Sequence, residues 1–280
     1  MTSKILKIAL IGRTNAGKST LINSIVGEKI SIQNKKINTT QVTIIGVKNI
    51  KKTQLIFYDT PGSNFLKSLN IQTKNLKTNL WSGIDESDII FYLIDSKTAN
   101  IKFLFEQIEK LQEVKKKIIV IFNKIDLISN KQLLPLISNL NKSFHIDSFF
   151  TISAIQNIGI DDLLDYIERY SYLSKWIFKD DEITNKDDTF IVGELLRETM
   201  LTYLQKKIPY NVSIQTSNFK ILKNNDIKIK QKIIINQKRY KKIILGRKGE
   251  MIKKIREDSQ KKMSQILNAK IHLYLEILNA

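Results

Sequence analysis

Four short groups of residues in this sequence have the types and spacing of a nucleotide site. The first, Gly12-Arg13-Thr14-Asn15-Ala16-Gly17-Lys18-Ser19, combines two glycines with a lysine and a hydroxyl. The glycines allow a tight loop with its N–H groups turned inward, Lys18 can reach the outer phosphates, and the Ser19 hydroxyl can sit on Mg2+. Thr20 continues into a helix whose positive end favours anions. The second group, Asp59-Thr60-Pro61-Gly62, follows 40 residues after Ser19. Asp59 is expected to hold Mg2+ through water, and the Gly62 N–H to sense loss of the γ-phosphate. The third, Asn123-Lys124-Ile125-Asp126, selects the base. A carboxylate at Asp126 accepts from guanine N1–H and the exocyclic amine, and adenine has no matching donor pair. Lys124 would lie over the base and Asn123 would tie the loops together. The fourth, Ser153-Ala154, would present a backbone N–H to guanine O6. A site built this way leaves polar groups unpaired with the wrong base, so discrimination is large. Together the groups imply a guanine-nucleotide switch with GTP, GDP and Mg2+ as its ligands.

Hydrolysis needs positioning and charge stabilisation more than covalent chemistry. Thr39 or Thr40 is the expected switch threonine, with Lys18, Thr40 and Gly62 as the catalytic set and Ser19, Thr40 and Asp59 around the metal. Ser63 stands where some related sites carry a water-orienting Gln, and the next Gln is Gln72. Turnover is therefore expected to be slow, with water held by backbone and Thr40. Asn15 has two readings, a loop-capping residue or a ligand that helps place K+ beside the phosphates.

These groups must be held at the ends of strands. Residues 5–11, 55–59, 89–95, 118–123 and 149–153 are short apolar runs of strand length. Between them lie helix-like stretches at 18–26, 67–83, 100–114, 131–141 and 160–170. This alternation predicts an α/β domain with a mainly parallel sheet and helices on both faces, and ligands outside the carboxyl ends of the strands.

Composition narrows the class. Hydrophobic residues make up 42% of 280, as in globular chains, and Cys is absent, which removes disulfide and thiolate sites. His145 and His272 are the only imidazoles, too few for a His-built metal site. The longest apolar runs are strand-sized, and residues 1–12 lack a secretory pattern, so the expected location is cytoplasmic. The net charge of +19 has a bland explanation in a Lys-, Asn- and Ile-rich coding bias, but its distribution is uneven. Residues 206–270 hold 19 Lys and Arg against 4 Asp and Glu, and the other 215 residues carry a net +4. Regional basicity of this size points to a polyanion partner.

After an acidic, polar stretch at 179–188 the pattern changes. An amphipathic helix over 190–206 precedes strands at 212–216 and 227–235, with a turn at Asn224-Asn225. A short helix ending near Leu245 then leads through Gly246-Arg247-Lys248-Gly249 into a helix to Leu267 and a strand over 271–275. Helix–strand–strand–helix–helix–strand is α+β. The Gly-x-x-Gly loop with two central cations resembles that of KH domains, which clamp about four nucleotides of single-stranded RNA. Gly246 and Gly249 would admit a nucleic-acid backbone, with Arg247, Lys248 and Lys253 on phosphates. Ile244, Ile252 and Ile255 read as core. The boundaries that follow are 1–174 for a nucleotide domain, 175–188 for an acidic linker and 189–280 for an RNA-binding domain.

Over nearly its whole length the chain resembles the Era family: a P-loop GTPase domain followed by a smaller, type II KH domain. The likeness rests on Gly12 to Ser19 with Asn at 15, Thr39-Thr40, Asp59 to Gly62, Asn123 to Asp126, Ser153-Ala154 and Ile208-Pro209-Tyr210 before the KH strand. The resemblance implies a monomeric GTPase that binds 16S ribosomal RNA near its 3′ end. It further implies a role in assembling the 30S subunit and peripheral contact with anionic lipids of the bacterial inner membrane. Asn38 and Gln41 depart from the family's usual Gln and Arg, and a shortened tail after the last strand is expected to weaken RNA contacts beyond the loop. Three other classes compete with this reading: an RNA scaffold with a structural nucleotide, a nucleotide kinase, against which Asn123 to Asp126 argues, and a membrane-attached switch. Residues 31–41 and 62–75 are expected to carry the γ-phosphate signal towards residues 190–250.

Overall fold

Consecutive buried residues, rather than alternating ones, dictate the first half of the architecture. In β1 (Lys4–Gly12) Ile8, Ala9, Leu10 and Ile11 are all buried, so both sides of the strand are covered. The same holds for β3 (Thr53–Asp59), β4 (Ile89–Asp95) and most of β5 (Lys117–Asn123). Such runs suit the interior of a parallel sheet with helices on both faces. The computed structural model describes residues 3–27, 44–60, 84–185, 187–204 and 212–279. It divides into two compact units, Met1–Asn185 and Lys186–Ala280.

Among the described residues, the first unit holds a seven-stranded sheet in the order β2-β3-β1-β4-β5-β6, where β2 is Ile44–Ile50 and β6 is Ser148–Ile152. The seventh strand, the short β7 (Tyr172–Leu173), pairs antiparallel with β1 at Lys4 and Ile5. Every pair from β3 to β6 is parallel, and β2 pairs antiparallel with β3. The helices are α1 (Lys18–Val26), α2 (Ile101–Gln112), α3 (Leu134–Ser143) and α4 (Ile160–Glu168). Asn100 starts α2 by accepting from the Phe103 N–H at 3.1 Å. Leu104, Ile108 and Leu111 of α2 then pack with Leu140 of α3 against Ala9, Tyr92 and Val120.

Among the described residues the expected strands and helices occur, with shifted ends at α2, α3, α4 and β6. Sequence pattern did not reveal β2, because Gly46, Lys48 and Asn49 interrupt its apolar residues. Register makes it a strand: Ile44 to Ile50 face Asp59 to Thr53 across a turn in which Lys51 has φ 53°. The helix expected at 67–83 lies outside the described residues, as do Asn38, Thr39, Thr40, Gln41, Pro61, Gly62, Ser63, Gln72 and Ile208-Pro209-Tyr210.

The stretch read as a linker has partners. Gln54 on β3, fully buried, accepts from the N–H groups of Ile177 and Phe178 at 2.9 and 3.0 Å. Its amide NH2 donates to the Phe178 carbonyl at 3.0 Å. Asn49 holds Asp180, the Val47 N–H donates to the Ile183 carbonyl at 2.8 Å, and the Ile45 N–H donates to Asn185. Residues 180–185 therefore run along the edge of β2, where the outward N–H groups of Ile45 and Val47 find acceptors. The acidic character has a local cause too, since Asp187 caps the next helix by accepting from the Phe190 N–H at 2.8 Å.

The second unit is α5 (Asp188–Tyr203), β8 (Val212–Ile221), β9 (Ile227–Ile235), α6 (Lys238–Leu245), α7 (Glu250–Leu267) and β10 (Ile271–Asn279). Its sheet runs β10-β9-β8, parallel then antiparallel, with a bulge between Thr216 and Asn218. Both β8 and β10 extend beyond the apolar residues that suggested them. Asn225, at φ 63°, makes the turn between β8 and β9. Val192, Leu196, Ile229, Ile233, Ile244, Ile255, Met263 and Leu273 share one core.

Replacing Gln54 by Ala removes one acceptor and one donor from part-buried backbone partners. Urea unfolding is expected to show a loss of about 2–3 kcal/mol, with faster amide hydrogen exchange at Ile177 and Phe178.

Candidate guanine-nucleotide site and nucleic-acid loop

The first glycine-rich segment joins β1 to α1, and both glycines are enforced by neighbours. A Cβ at Gly12 would collide with the Leu93 carbonyl oxygen, and one at Gly17 with the Asn123 side-chain nitrogen. Gly17 also has φ 101°, a left-handed conformation that Cβ disfavours. No side chain caps α1 and its first turn holds no acidic residue. The positive end of the helix is thus left for an anionic ligand.

Lys18, only 6% exposed, donates from Nζ to the carbonyls of Gly12 at 2.9 Å and Arg13 at 3.2 Å. Burial lowers its pKa from 10.5 to about 8, and the Asp59 charge opposes that shift. Ser19 donates its hydroxyl proton to Asp59 Oδ2 at 2.8 Å, and Asp59 is fully buried at the end of β3. Thr60, also buried, donates to the Leu10 carbonyl. A hydroxyl beside a carboxylate is a hard oxygen set that suits Mg2+, an ion that takes one or two protein groups and completes its shell with phosphates and water. No group of three or more His, Cys, Asp or Glu able to hold a metal exists among the described residues.

The base-selecting residues meet through one carboxamide. Asn123 Nδ2 donates to the Ala16 carbonyl at 2.9 Å, while its Oδ1 accepts from the N–H groups of Lys124 at 2.8 Å and Ala154 at 3.0 Å. The phosphate loop and both base loops are thereby joined. Ser153 Oγ donates to Asp126 Oδ1 at 2.6 Å and orients that carboxylate. The Ala154 N–H, expected on guanine O6, is here donated to Asn123, and the Ser153 N–H to the Ile158 carbonyl.

Lys124, at φ 67°, donates to the Asn15 carbonyl and to Asp95 Oδ2, both at 2.6 Å. Asp95 was not singled out from the sequence. The signal was available, since it ends β4 directly opposite Asn123 in the register with β5. The Arg13 guanidinium lies 4.8 Å from the centre of the Phe103 ring on α2, and its backbone carbonyl accepts from Lys18 Nζ. Thr14 and Asn15 form the outer part of the loop, and Thr20 lies in the first turn of α1.

In the second unit, Gly246 to Gly249 join α6 to α7. Gly246 has φ 72°, and a Cβ there would stand 2.9 Å from the Met251 N. Lys248 at φ 50° and Gly249 at φ 81° continue the left-handed path, which turns Arg247 and Lys248 outward, both exposed. Lys253 is exposed one turn along α7. Ile244 and Ile255 are fully buried on either side, and Ile252 is half-buried. Lys238, Arg239, Lys241 and Lys242 of α6 are exposed as well, a cluster the sequence reading left out.

Residues 7–124 match the family model of 50S ribosome-binding GTPases, and residues 207–279 match that of the KH domain. The GTPase Era of Rickettsia conorii is 36% identical over 272 residues, 97% of this chain and 79% of that protein. The GTPase Era of Ehrlichia ruminantium is 35% identical over 95% of this chain and 90% of its own length. A crystal structure of Era in complex with MgGDPNP and nucleotides 1506–1542 of 16S ribosomal RNA superposes with a TM-score of 0.89. It is 29% identical, over 99% of this chain and 94% of that one. A point variant of Aquifex aeolicus Era bound to GDP and AlF4− gives 0.88 at 28% identity over 100% and 94%.

Lys18→Met removes a buried charge while keeping the volume. The nucleotide-free variant is expected to be more stable than the wild type at pH 7 by about 1–3 kcal/mol. Sign follows from linkage: the folded pKa lies below the unfolded one, so wild-type stability rises with pH between about 8 and 10.5. The gap should therefore close over that range in thermal melts, and addition of GDP should stabilise only the wild type.

Proposed function

This chain belongs to the Era family of GTPases, and on that premise we propose that it binds 16S ribosomal RNA near its 3′ end and assists 30S subunit assembly. The observation that carries the reading is a pairing of sites in one chain. A phosphate loop is tied to a guanine-type loop by Asn123, and a basic Gly-x-x-Gly loop connects two helices of the second unit. The relative crystallised with MgGDPNP and nucleotides 1506–1542 of 16S ribosomal RNA supports it, because the alignment spans both units.

In the proposed mechanism the β- and γ-phosphates lie over the uncapped start of α1, where backbone N–H groups face them. The Lys18 ammonium, held by two carbonyls, is better partnered by phosphate oxygens than by either. Mg2+, when bound, offsets phosphate charge, with Ser19 and Asp59 as its holders. Asp126, oriented by Ser153, accepts from guanine, and Lys124, braced by Asp95, lies along the ring. Thr40 and the Gly62 N–H, with backbone, would position the attacking water, and with Ser63 in the Gln position hydrolysis of GTP to GDP and phosphate would be slow. Asn15 would place K+ beside the phosphates. The reading extends to a cytoplasmic, monomeric protein with peripheral contact to anionic inner-membrane lipids. No helix among the described residues is long and apolar enough to cross a membrane.

Asp126→Asn exchanges an acceptor for a donor at the guanine N1–H. GTP affinity is expected to fall about 100-fold or more, with xanthosine triphosphate binding better than GTP in titration calorimetry. The RNA reading is tested with a short RNA from the 3′ end of small-subunit ribosomal RNA, with GDP or a non-hydrolysable GTP analogue. Binding should be tighter with the analogue and fall about 100-fold in Arg247→Asp/Lys248→Asp. Affinity indifferent to both nucleotide and substitution would remove the proposed function.

A further inference from the structure

Beside the phosphate loop, the first unit holds a cavity of about 270 Å3 between Arg13, Thr14 and Asn15, the end of β4 and the start of α2. Lys18, Ser19, Asp59, Asn123 and Asp126 do not line it, so the groups assigned to phosphate, Mg2+ and the base are not its walls. Most of its polar groups are already engaged. Asp95 accepts from the Lys124 ammonium at 2.6 Å and from the Lys97 N–H at 3.0 Å. The Asn100 carboxamide oxygen accepts from the Phe103 N–H at 3.1 Å. Two donors remain uncommitted. Tyr92 is 3% exposed, and its hydroxyl has no hydrogen-bond partner among the described residues. Burial pushes this phenol up and the Arg13 charge opposes that shift, so the hydroxyl keeps its proton and lies within the field of the guanidinium. Arg13 itself is paired with no carboxylate among the described residues and rests 4.8 Å from the Phe103 ring centre.

Packing alone does not account for these two groups. A phenylalanine at 92 would fill the same core position, whereas a buried phenol is destabilising unless something pairs with it. A cation–π contact explains where Arg13 rests and leaves its N–H donors uncommitted. We propose that the cavity is an effector site for a small organic acid with an apolar body, whose binding slows release of the nucleotide. The carboxylate would accept from the Arg13 guanidinium, whose planar fork matches it, and from the Tyr92 hydroxyl. The body would lie along the wall supplied by Ala99, Phe103 and Leu104. A monoanion suits the site better than a phosphate ester. Arg13 is the one cation among the described residues that line it, and Asp95 would repel a second negative charge. Volume limits the size, since pockets for drug-sized ligands run from about 300 to 1,000 Å3. The link to the nucleotide runs through the loop. The Arg13 carbonyl accepts from Lys18 at 3.2 Å, so a ligand that fixes Arg13 also steadies the ammonium that meets phosphate. The inference needs the guanine-nucleotide site and is independent of the RNA reading.

The test uses the full chain loaded with Mg2+ and GDP. The probe is para-fluorobenzoate, with para-fluorobenzamide as its uncharged counterpart, and binding is read from fluorine NMR line widths. The acid is expected to bind with a Kd on the order of 1 mM and the amide about tenfold more weakly. Tyr92→Phe keeps the core volume and should weaken the acid about tenfold. Ala99→Leu places extra side-chain volume at the cavity wall and should remove binding. Thermal melts report whether each variant folds, and Tyr92→Phe carries the test if Ala99→Leu does not. Release of a fluorescent GDP analogue from the wild type should slow about threefold or more at saturating acid. The acid should change that rate much less in Tyr92→Phe. Equal binding of the acid by wild type and variants assigns it to surface lysines and overturns the site. Equal binding of acid and amide overturns recognition of a carboxylate. Displacement of the acid by excess GDP puts it in the phosphate site, and the proposal falls. A release rate that the bound acid leaves unaltered overturns the effector role.

Discussion

The carboxamide of Asn123 is the interaction on which the first unit's site depends. It commits a donor to the Ala16 carbonyl and an acceptor to two N–H groups, so three loops from three strand ends are fixed by one side chain. Each loop alone would leave buried polar backbone without partners. Because the same nitrogen would collide with any Cβ at Gly17, the phosphate loop and the base loop constrain each other. Glycine at position 17 is required by a residue 106 positions away as much as by a phosphate.

Lys124 shows how the scaffold continues outward from that centre. It adopts a left-handed backbone and is braced by Asp95 and the Asn15 carbonyl. Asp95 reaches it because β4 and β5 are parallel and in register, with Asp95 beside Asn123. Position in the sheet, rather than proximity in the chain, assembles the site. That is why ligand groups gather at the carboxyl ends of strands in this class of fold.

Much of this was legible from residue types. The apolar runs that became β1, β3, β4 and β5 are buried on both faces, so neither periodicity nor turn chemistry was needed to see them. Asn123, expected to tie the loops together, does so. The less legible parts all depend on contacts between distant segments. The edge of strand β2 is covered by residues 180–185, with Asn49 bonded to Asp180, in a stretch that a local window reads as an acidic linker. Arg13 sits in a phosphate-loop motif, yet an aromatic ring on α2 captures its guanidinium. The Ala154 N–H goes to Asn123, a destination that residue identity does not encode.

The burial of Lys18 has a consequence for the abundance of the protein. A charge placed in the interior makes the empty chain less stable than its packing alone would, and the deficit is recovered only when phosphate arrives. Any ligand that binds only the folded state adds stability by mass action, about 2.7 kcal/mol at a hundredfold excess over its Kd. The lifetime of this chain against unfolding and proteolysis is therefore tied to the size of the surrounding guanine-nucleotide pool. Guanine nucleotide would thus act as a stabilising ligand of the fold as well as its switch.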